Sequence, residues 1–396
     1  MQQAVWKEKG GSGNVEQKVT SERLFFIDNL RWVMIVFVVM VHIVVTYSSI
    51  GRWYYFEKTE LDILSKAIFG MYLSFSQAYF MGFLFLIAGY FIPAAYDRKG
   101  FKRFIQDRMV RLGVPVLIYM LLIHPFIERF LLSPYWGNQY VQSFWYIDYI
   151  ISLRFLEESG PLWFAFALLF FSLIYALIRR YFPMDKKDDD GVLPGHKEVG
   201  GTILFISFFA FMVRLVQPIG TDILNMQLCF FTQYIALFIL GVIAYRKDWF
   251  LRLPYEFGVV WFKAGFLLGV PLWIVMMVAG GGLNGMEYLY FGGSYWQSAV
   301  YALWESFYCI CMCLGLIVIF REKFNYHTKW SRLLSDNAFG VYVFHAPILI
   351  FISLVLKGWS IHPLLKFSVV TLITLPACFL FSMLIRKNFI IRKVFS

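Results

Sequence analysis

The run IDNLRWVMIVFVVMVHIVVTYSS (residues 27–49) places an acid, an arginine and a histidine inside one long apolar stretch. Arg31 and His42 are eleven residues apart, and at ~100° per residue this spacing returns both side chains to one face of a helix. Asp28 belongs to the same face. At a rise of ~1.5 Å per residue, Arg31 and His42 are ~16 Å apart along the axis, about half of the ~30 Å hydrocarbon core. The run therefore predicts a membrane helix with a polar face that reaches from one boundary into the bilayer.

Two interpretations of this face stay open from the residues alone. Ionisable groups are costly inside a bilayer and usually mark a functional site. Alternatively, Asp28 and Arg31 form an interfacial i, i+3 pair, and His42 is a core histidine that bonds to a neighbouring helix.

The composition of the 396-residue chain is that of a polytopic membrane protein. It is 60% hydrophobic and 15% charged, with a mean hydropathy of +0.64. We expect an all-α fold with about ten transmembrane helices, each near the ~20 residues that a crossing requires. The predicted spans are 27–48, 67–95, 113–133, 161–182, 201–219, 226–245, 258–281, 296–320, 337–357 and 364–385.

The basic residues alternate between the connecting segments. One set, which includes the N-terminal tail, 96–112, 183–200 counted together with Arg179 and Arg180, and 386–396, holds 26 lysines and arginines, and the other set holds four. By the positive-inside rule both termini are predicted to be cytoplasmic. The net charge of +11 is then an orientation signal that also attracts anionic lipid headgroups, and we expect no binding to nucleic acid.

These patterns predict one membrane domain, residues 25–386, between two tails. Residues 1–24 lack an apolar core of a signal peptide and are expected to form a flexible cytoplasmic tail. Residues 387–396 are expected to form a basic cytoplasmic tail. The aromatic stretches 133–150 and 282–296 are interpreted either as interfacial belts or as stacking faces for sugar rings.

The five cysteines of the chain all fall in apolar runs. They are Cys229, Cys309, Cys311, Cys313 and Cys378. The i, i+2 spacing of the middle three scatters them around a helix, so they are interpreted as small core residues and no metal site is predicted.

Several motifs in the chain resemble those of a known family. The R-x10-H spacing from Arg31 to His42 in the first membrane helix is the signature of the acyltransferase-3 family of membrane acyltransferases. The segments MGFLFLIAGYF (81–91), DRMVRLGVP (107–115), GPLWFA (160–165) and SDNAFGVYVFHAPIL (335–349) are similar to further motifs of that family.

The resemblance covers about residues 23–385, and the motifs look most like the branch that succinylates periplasmic glucans. Ala88 stands where the family commonly has serine. The resemblance implies an integral-membrane enzyme of a bacterial plasma membrane that transfers an acyl group from acyl-CoA, either acetyl-CoA or succinyl-CoA.

The acyl-CoA donor is a large anion that has to be held by cations at the inner face. Arg103, Arg108 and Arg111 lie in the predicted inner segment 96–112. Arg108 and Arg111 project from one side of a helix because they are three residues apart, and they form the R-x-x-R that the family resemblance connects with activity. Positive-inside charge alone would also explain Arg103.

His42 is the predicted catalytic group, because imidazole has an unperturbed pKa of ~6.5 and is suited to take the proton of a hydroxyl acceptor. Alternatively, His42 attacks the thioester and carries the acyl group itself. Arg31 is expected to clamp the donor or to pair with Asp28.

Other polar and aromatic residues are assigned to the same site. Glu305 is expected either to orient His42 or to pair with Arg214. Trp163, His345 and Tyr90, which the resemblance places in family motifs, are expected to line the substrate cavity, with a packing role as the alternative for His345.

The predicted function is O-acylation of a glycan, a lipid-linked sugar or a small natural product outside the membrane. The alternative is a secondary transporter or proton-coupled permease with Arg31, His42 and Glu305 as a relay. The sequence leaves homo-oligomerisation open.

Overall fold

The computed structural model describes residues 23–57, 60–133, 145–183 and 191–394. Within these ranges the chain is mainly helical and has no β-strand. Helices suit an apolar chain in a bilayer because a helix satisfies its own backbone hydrogen bonds. The main helices are α1 (Phe25–Ser48), α2 (Ile63–Arg108), α3 (Trp163–Tyr181), α4 (His196–Arg214), α5 (Phe231–Arg246), α6 (Tyr255–Leu267), α7 (Gly269–Ala279), α8 (Trp296–Lys323), α9 (Lys329–Val355) and α10 (Pro363–Ile385).

In the described part of the chain, nine helical units are long and apolar enough to cross a membrane. The predicted all-α polytopic fold is therefore confirmed. The predicted count of ten differs because one unit, Ile63–Leu132, contains both the second and the third predicted span.

The predicted loop 96–112 is itself helical, which corrects the boundary predicted there. At ~1.5 Å per residue the 70 residues of this unit would measure ~105 Å if straight. Gly100 interrupts the helix with φ 69° and ψ 171°, a conformation open to glycine because it has no Cβ. Beyond Arg108, residues 109–132 alternate between π-helical and α-helical turns, and Pro115 and Pro125 remove backbone donors there.

The first helix lies at the centre of the bundle. It packs against α2, α8, α9 and α10, and residues along its whole length are buried. By contrast, α4 exposes large apolar side chains such as Leu204, Phe205 and Phe208, which suits a lipid-facing position. Asp28, Asn29 and Thr46 of α1 are therefore held inside the protein, whereas the Arg31 side chain is 49% exposed.

Close packing of α2 against α5 depends on two glycines. A Cβ at Gly89 would lie 2.2 Å from the Phe238 carbonyl oxygen, and one at Gly241 would lie 2.2 Å from the Leu86 carbonyl oxygen. Small residues allow membrane helices to approach this closely. Gly89 of the G-Y-F segment is thus required by packing.

The five cysteines are buried and free, in agreement with the core role predicted for them. The predicted tails lie largely beyond the structural description, since residues 1–22 and 395–396 are outside the described residues, while Phe389–Val394 forms a short helix. Most of the aromatic stretch 133–150 is also outside the described residues.

Candidate active site

The N-terminal end of α1 carries the predicted Asp28–Arg31 pair. The Arg31 Nη1 atom lies 3.6 Å from Asp28 Oδ1, and Arg23 Nε lies 2.7 Å from Asp28 Oδ2. The imidazole of His327 approaches the same carboxylate at 3.9 Å. Asp28 is therefore an anchor for surrounding cations at this end of the helix, and its contacts do not include His42.

Arg31 itself is half exposed and belongs to a group of cations. Its guanidinium lies 5.3 Å from the centre of the Phe91 ring. Arg31 is also near enough to Arg108 for the two charges to repel. Arg31 of the first helix thus joins Arg108 and Arg111 in a group of cations at the end of α2, which we call the cationic surface.

The R-x-x-R arginines differ in how their charges are compensated. Arg111 Nε lies 3.0 Å from Asp107 Oδ1, and Lys99 Nζ lies 2.7 Å from Asp107 Oδ2. Arg108 stacks its guanidinium 4.9 Å from the centre of Phe104, and its buried Nε has no hydrogen-bond partner within the described ranges. Arg108 is therefore the arginine best placed to receive an anion. Arg103 is exposed.

His42 lies in the C-terminal half of α1 among other rings. The indole of Trp53 stacks on it with ring centres 3.8 Å apart and planes 18° apart. The imidazole of His345 has its centre 5.1 Å away. The buried Nδ1 of His42, Nε1 of Trp53 and Nε2 of His345 have no hydrogen-bond partner among the described residues. Three nitrogens are thus available to a substrate or water in one place.

His345 is brought to His42 by α9. Its Nδ1 atom is 2.8 Å from the carbonyl oxygen of Tyr342, and the Tyr342 hydroxyl donates to the carbonyl oxygen of Pro161. The closing motif of the chain is therefore joined to the G-P-L-W segment, and both support the position of the second histidine.

Trp53 is carried by the segment that follows α1, residues 49–57, which we call the Trp53 segment. It starts with Ser49 and Gly51 at positive φ (56° and 102°), so the chain turns back over the helix end. The backbone N–H of Glu57 donates to the Thr46 carbonyl oxygen at 2.9 Å. Arg52 at its near end pairs with Asp222.

A second polar cluster borders Trp53. The Tyr54 hydroxyl is 3.1 Å from the Tyr119 hydroxyl and 3.1 Å from His124 Nδ1. His124 Nε2 lies 3.6 Å from Glu158 and 3.8 Å from Glu128. Burial, together with the charges of Glu128 and neighbouring acids, raises the pKa of Glu158 to about 7. The cluster places a titratable carboxyl group beside the Trp53 segment.

Glu305 does not contact His42. Its carboxylate pairs with Arg214, and both side chains are buried. The Arg214 guanidinium also lies 5.5 Å from the ring centres of Phe230 and Tyr301. Glu305 was expected either to orient His42 or to pair with Arg214, and the structure contains the pair with Arg214. No contact between Glu305 and His42 supports the orienting role.

Trp163 and Tyr90 also make contacts away from His42. Trp163 stacks on Tyr234, with ring centres 5.7 Å apart. Tyr90 stacks on Phe250 at 4.2 Å, and Phe250 lines an apolar cavity of about 240 Å³. The contacts of both residues are therefore those of helix packing, and neither ring touches the His42–Trp53–His345 group.

The comparison with protein families addresses the chain as a whole. A family model described as an acyltransferase domain matches residues 24–383. The chain belongs to the acyltransferase-3 family. No curated protein and no solved structure matches the chain. The chain is thus a membrane acyltransferase, and the match covers both His42 and the cationic end of α2.

Sequence reasoning did not assign roles to Trp53, His124, Glu57 or Lys366. His124 and Lys366 did carry a signal, since an ionisable residue within an apolar run usually has a specific partner. Trp53 carried none, because a tryptophan after a membrane helix is ordinary at an interface.

Proposed function

We propose that this acyltransferase moves an acetyl or succinyl group from cytoplasmic acyl-CoA to a hydroxyl group on the outer side of a bacterial plasma membrane. The acceptor is a glycan, a lipid-linked sugar or a small natural product. The observation that carries the proposal is the position of His42. Its Nδ1 has no hydrogen-bond partner among the residues that the structure describes, and His42 lies on the same helix as Arg31, which is close to Arg108.

In the proposed reaction, His42 removes the proton from the acceptor hydroxyl as its oxygen attacks the thioester carbonyl carbon. The C–S bond then breaks, and the CoA thiolate takes the proton from His42. In the alternative route, His42 attacks the thioester carbonyl carbon first, the C–S bond breaks, and the CoA thiolate leaves an acyl-imidazole behind. The acceptor hydroxyl then attacks the acyl carbon, the C–N bond to His42 breaks, and the hydroxyl proton passes to the thiolate. Both routes use the same histidine and give the same products.

The donor is held by arginines in this proposal. The nucleotide phosphates of CoA bind Arg108 with Arg31 and Arg111 beside it, and exposed Arg103 adds charge. The pantetheine arm then extends along α1 toward His42, over the ~16 Å that eleven helical residues span. Arginine suits this task because its planar fork binds phosphate oxygens in pairs.

The transporter alternative has less support. It requires a relay through Arg31, His42 and Glu305, whereas the Glu305 carboxylate contacts Arg214. Family membership also favours acyl transfer.

Sealed vesicles of known orientation test the sidedness. We expect radiolabelled acetyl-CoA or succinyl-CoA, supplied on the side that bears residues 96–112, to label an acceptor extract enclosed on the opposite side. Label that appears only when donor and acceptor share the cytoplasmic side would contradict transfer across the membrane, while leaving the enzyme class intact.

Replacement of the histidine tests the chemistry. We expect His42→Ala to lower transfer at least ~10²-fold, as loss of a general base usually does, without loss of expression. His196→Ala is the matched control, because His196 packs on Phe257 away from the site. Activity of His42→Ala within tenfold of the parent would remove His42 from the mechanism.

A further inference from the structure

An apolar cavity of about 240 Å³ lies between the first turns of α4, the second half of α5 and the C-terminal half of α8. Its walls are aliphatic and aromatic side chains such as Leu237, Phe250 and Ile317. Among the described residues that line it, only Glu198 and Thr202 carry side-chain oxygens. An apolar cavity of about 150 Å³ stays dry and binds benzene, so this larger cavity suits hydrocarbon rather than water.

The bilayer supplies hydrocarbon at this position. Val199 of α4 lines the cavity, whereas Leu204 and Phe205 of the same helix are exposed and face the lipid. Because lipid tails are already apolar, a chain that enters the cavity gains packing contacts rather than transfer out of water. Any selection between lipids therefore has to come from their headgroups.

Charged groups border the cavity where it reaches the surface. Exposed Glu198 accepts the backbone N–H of Gly195 at its Oε2 atom, at 2.9 Å, and a carboxylate can accept further bonds. Arg252 donates from Nη1 to the carbonyl oxygens of Gly191 and Lys247, and these neutral groups leave its positive charge in place. Gly191 and Gly195 are four residues apart, so at most ~14 Å of chain separates them. One negative and one positive group thus lie along the same rim.

We infer that the cavity binds one acyl chain of a phospholipid whose headgroup carries a primary ammonium group, a phosphatidylethanolamine. The chain fills the cavity, the ammonium donates to the Glu198 carboxylate, and the phosphate accepts from Arg252. Charge-assisted hydrogen bonds of this kind are the strong ones. The inference does not depend on the proposed reaction, since His42 is not part of this cavity.

Other common headgroups match the rim less well. Phosphatidylcholine has a quaternary ammonium group with no N–H to donate, and phosphatidylglycerol has no cation. Both share the phosphate that Arg252 would bind, but neither can donate a charge-assisted hydrogen bond to Glu198. The three lipids therefore differ at one contact only.

Fluorescence quenching tests the site, because bromine atoms quench tryptophan on contact and Trp249 lines the cavity. Delipidated full-length protein in detergent is titrated with phosphatidylethanolamine that carries dibrominated acyl chains, and with phosphatidylcholine and phosphatidylglycerol that carry the same chains. The signal of Trp249 is the difference between the parent protein and Trp249→Phe. We expect half-maximal quenching of Trp249 at an about tenfold lower mole fraction of phosphatidylethanolamine, as one charge-assisted hydrogen bond would give.

Substitutions at the rim separate the two headgroup contacts. Glu198→Gln keeps an amide oxygen for the Gly195 N–H and should remove the preference for phosphatidylethanolamine. Glu256→Gln, at an exposed acid in the first turn of α6, is the matched control and should keep the preference. Arg252→Gln should weaken all three lipids by similar factors, because they share the phosphate.

A larger side chain tests whether the acyl chain enters the cavity. Ala244→Phe places a ring in the cavity, which Ala244 lines, and should abolish the quenching of Trp249 by all three lipids. Val260→Phe adds a ring at an exposed position of α6 and should leave the quenching unchanged.

The outcomes decide the headgroup and the chain separately. Equal quenching by the three lipids in the parent protein, or a preference for phosphatidylethanolamine that survives Glu198→Gln, overturns the headgroup assignment. Quenching of Trp249 at the parent level in folded Ala244→Phe overturns the chain site. If Ala244→Phe does not fold, the three-lipid comparison in the parent protein and in Glu198→Gln still decides the inference.

Discussion

Lys366 and Glu57 form a buried ion pair between the first turn of α10 and the Trp53 segment. The Lys366 side chain is only 2% exposed and the Glu57 side chain 13% exposed. Lys366 Nζ also donates to the Trp359 carbonyl oxygen at 2.9 Å. Because the pair fixes one end of the Trp53 segment, the ring that covers His42 depends on a helix from the far end of the chain.

Replacing Lys366 with methionine should therefore loosen the Trp53 segment. Loss of one partner of a buried ion pair typically costs ~3–5 kcal/mol, so we expect a lower thermal midpoint in detergent and at least tenfold lower transfer. The double variant Lys366→Met/Glu57→Gln should recover part of the stability, since no charge is then left behind. Equal midpoints for the parent and Lys366→Met would contradict this role.

The cationic surface at the end of α2 predicts a graded effect on donor binding. We expect Arg108→Ala to weaken the binding of a nonhydrolysable CoA analogue about tenfold or more, equivalent to at least ~1.4 kcal/mol of binding free energy. Arg111→Ala should weaken binding less, because Asp107 already pairs with Arg111 and partly compensates its charge. Isothermal titration measures both. Exposed Lys102 supplies the control, and a loss of equal size in Lys102→Ala would mean that bulk charge alone attracts CoA.

The Arg214–Glu305 pair predicts a stability effect rather than a catalytic one. Arg214→Met and Glu305→Gln should each lower the thermal midpoint, because each strips a partner from a buried pair. The folded fraction of Glu305→Gln should keep a kcat within about threefold of the parent. A normal midpoint with a kcat reduced ~10²-fold would instead restore Glu305 to the catalytic group.

Glu158 predicts a pH dependence of stability. Its pKa is raised from 4.5 to about 7 by burial and by the charges of Glu128 and Glu157, so the folded state binds the proton more tightly than the unfolded state. Protonated Glu158 therefore adds to the free energy of unfolding below about pH 4.5, and this contribution is lost as the pH rises through about 7.

Thermal midpoints between pH 4.5 and pH 7 measure the effect. The fall in thermal midpoint with rising pH should be shallower in Glu158→Gln than in the parent. Glu157→Gln should keep this fall but move it to lower pH, because the charge of Glu157 helps to raise the pKa of Glu158. An identical pH profile for the parent and Glu158→Gln would refute the assignment.

Periodicity and composition were sufficient for the local part of the fold. Long apolar runs have to be helical in a bilayer because no other partner is available to their backbone groups. The common face of Arg31 and His42 follows from helical geometry alone. One predicted boundary is wrong at 96–112, because the polar residues there predict a loop, whereas a helix with a break at Gly100 accommodates them.

The surroundings of His42 required the tertiary structure. His345 and Trp53 meet the histidine through the packing of α9 and the turn after α1, and neither contact has a counterpart in the spacing of residues along the chain. The choice between two partners for Glu305 was likewise decided when α4 placed Arg214 against it. Sequence determines which side chains share a helix face, because that geometry is local. Which faces meet depends on how all the helices pack together, and only the folded bundle contains that information.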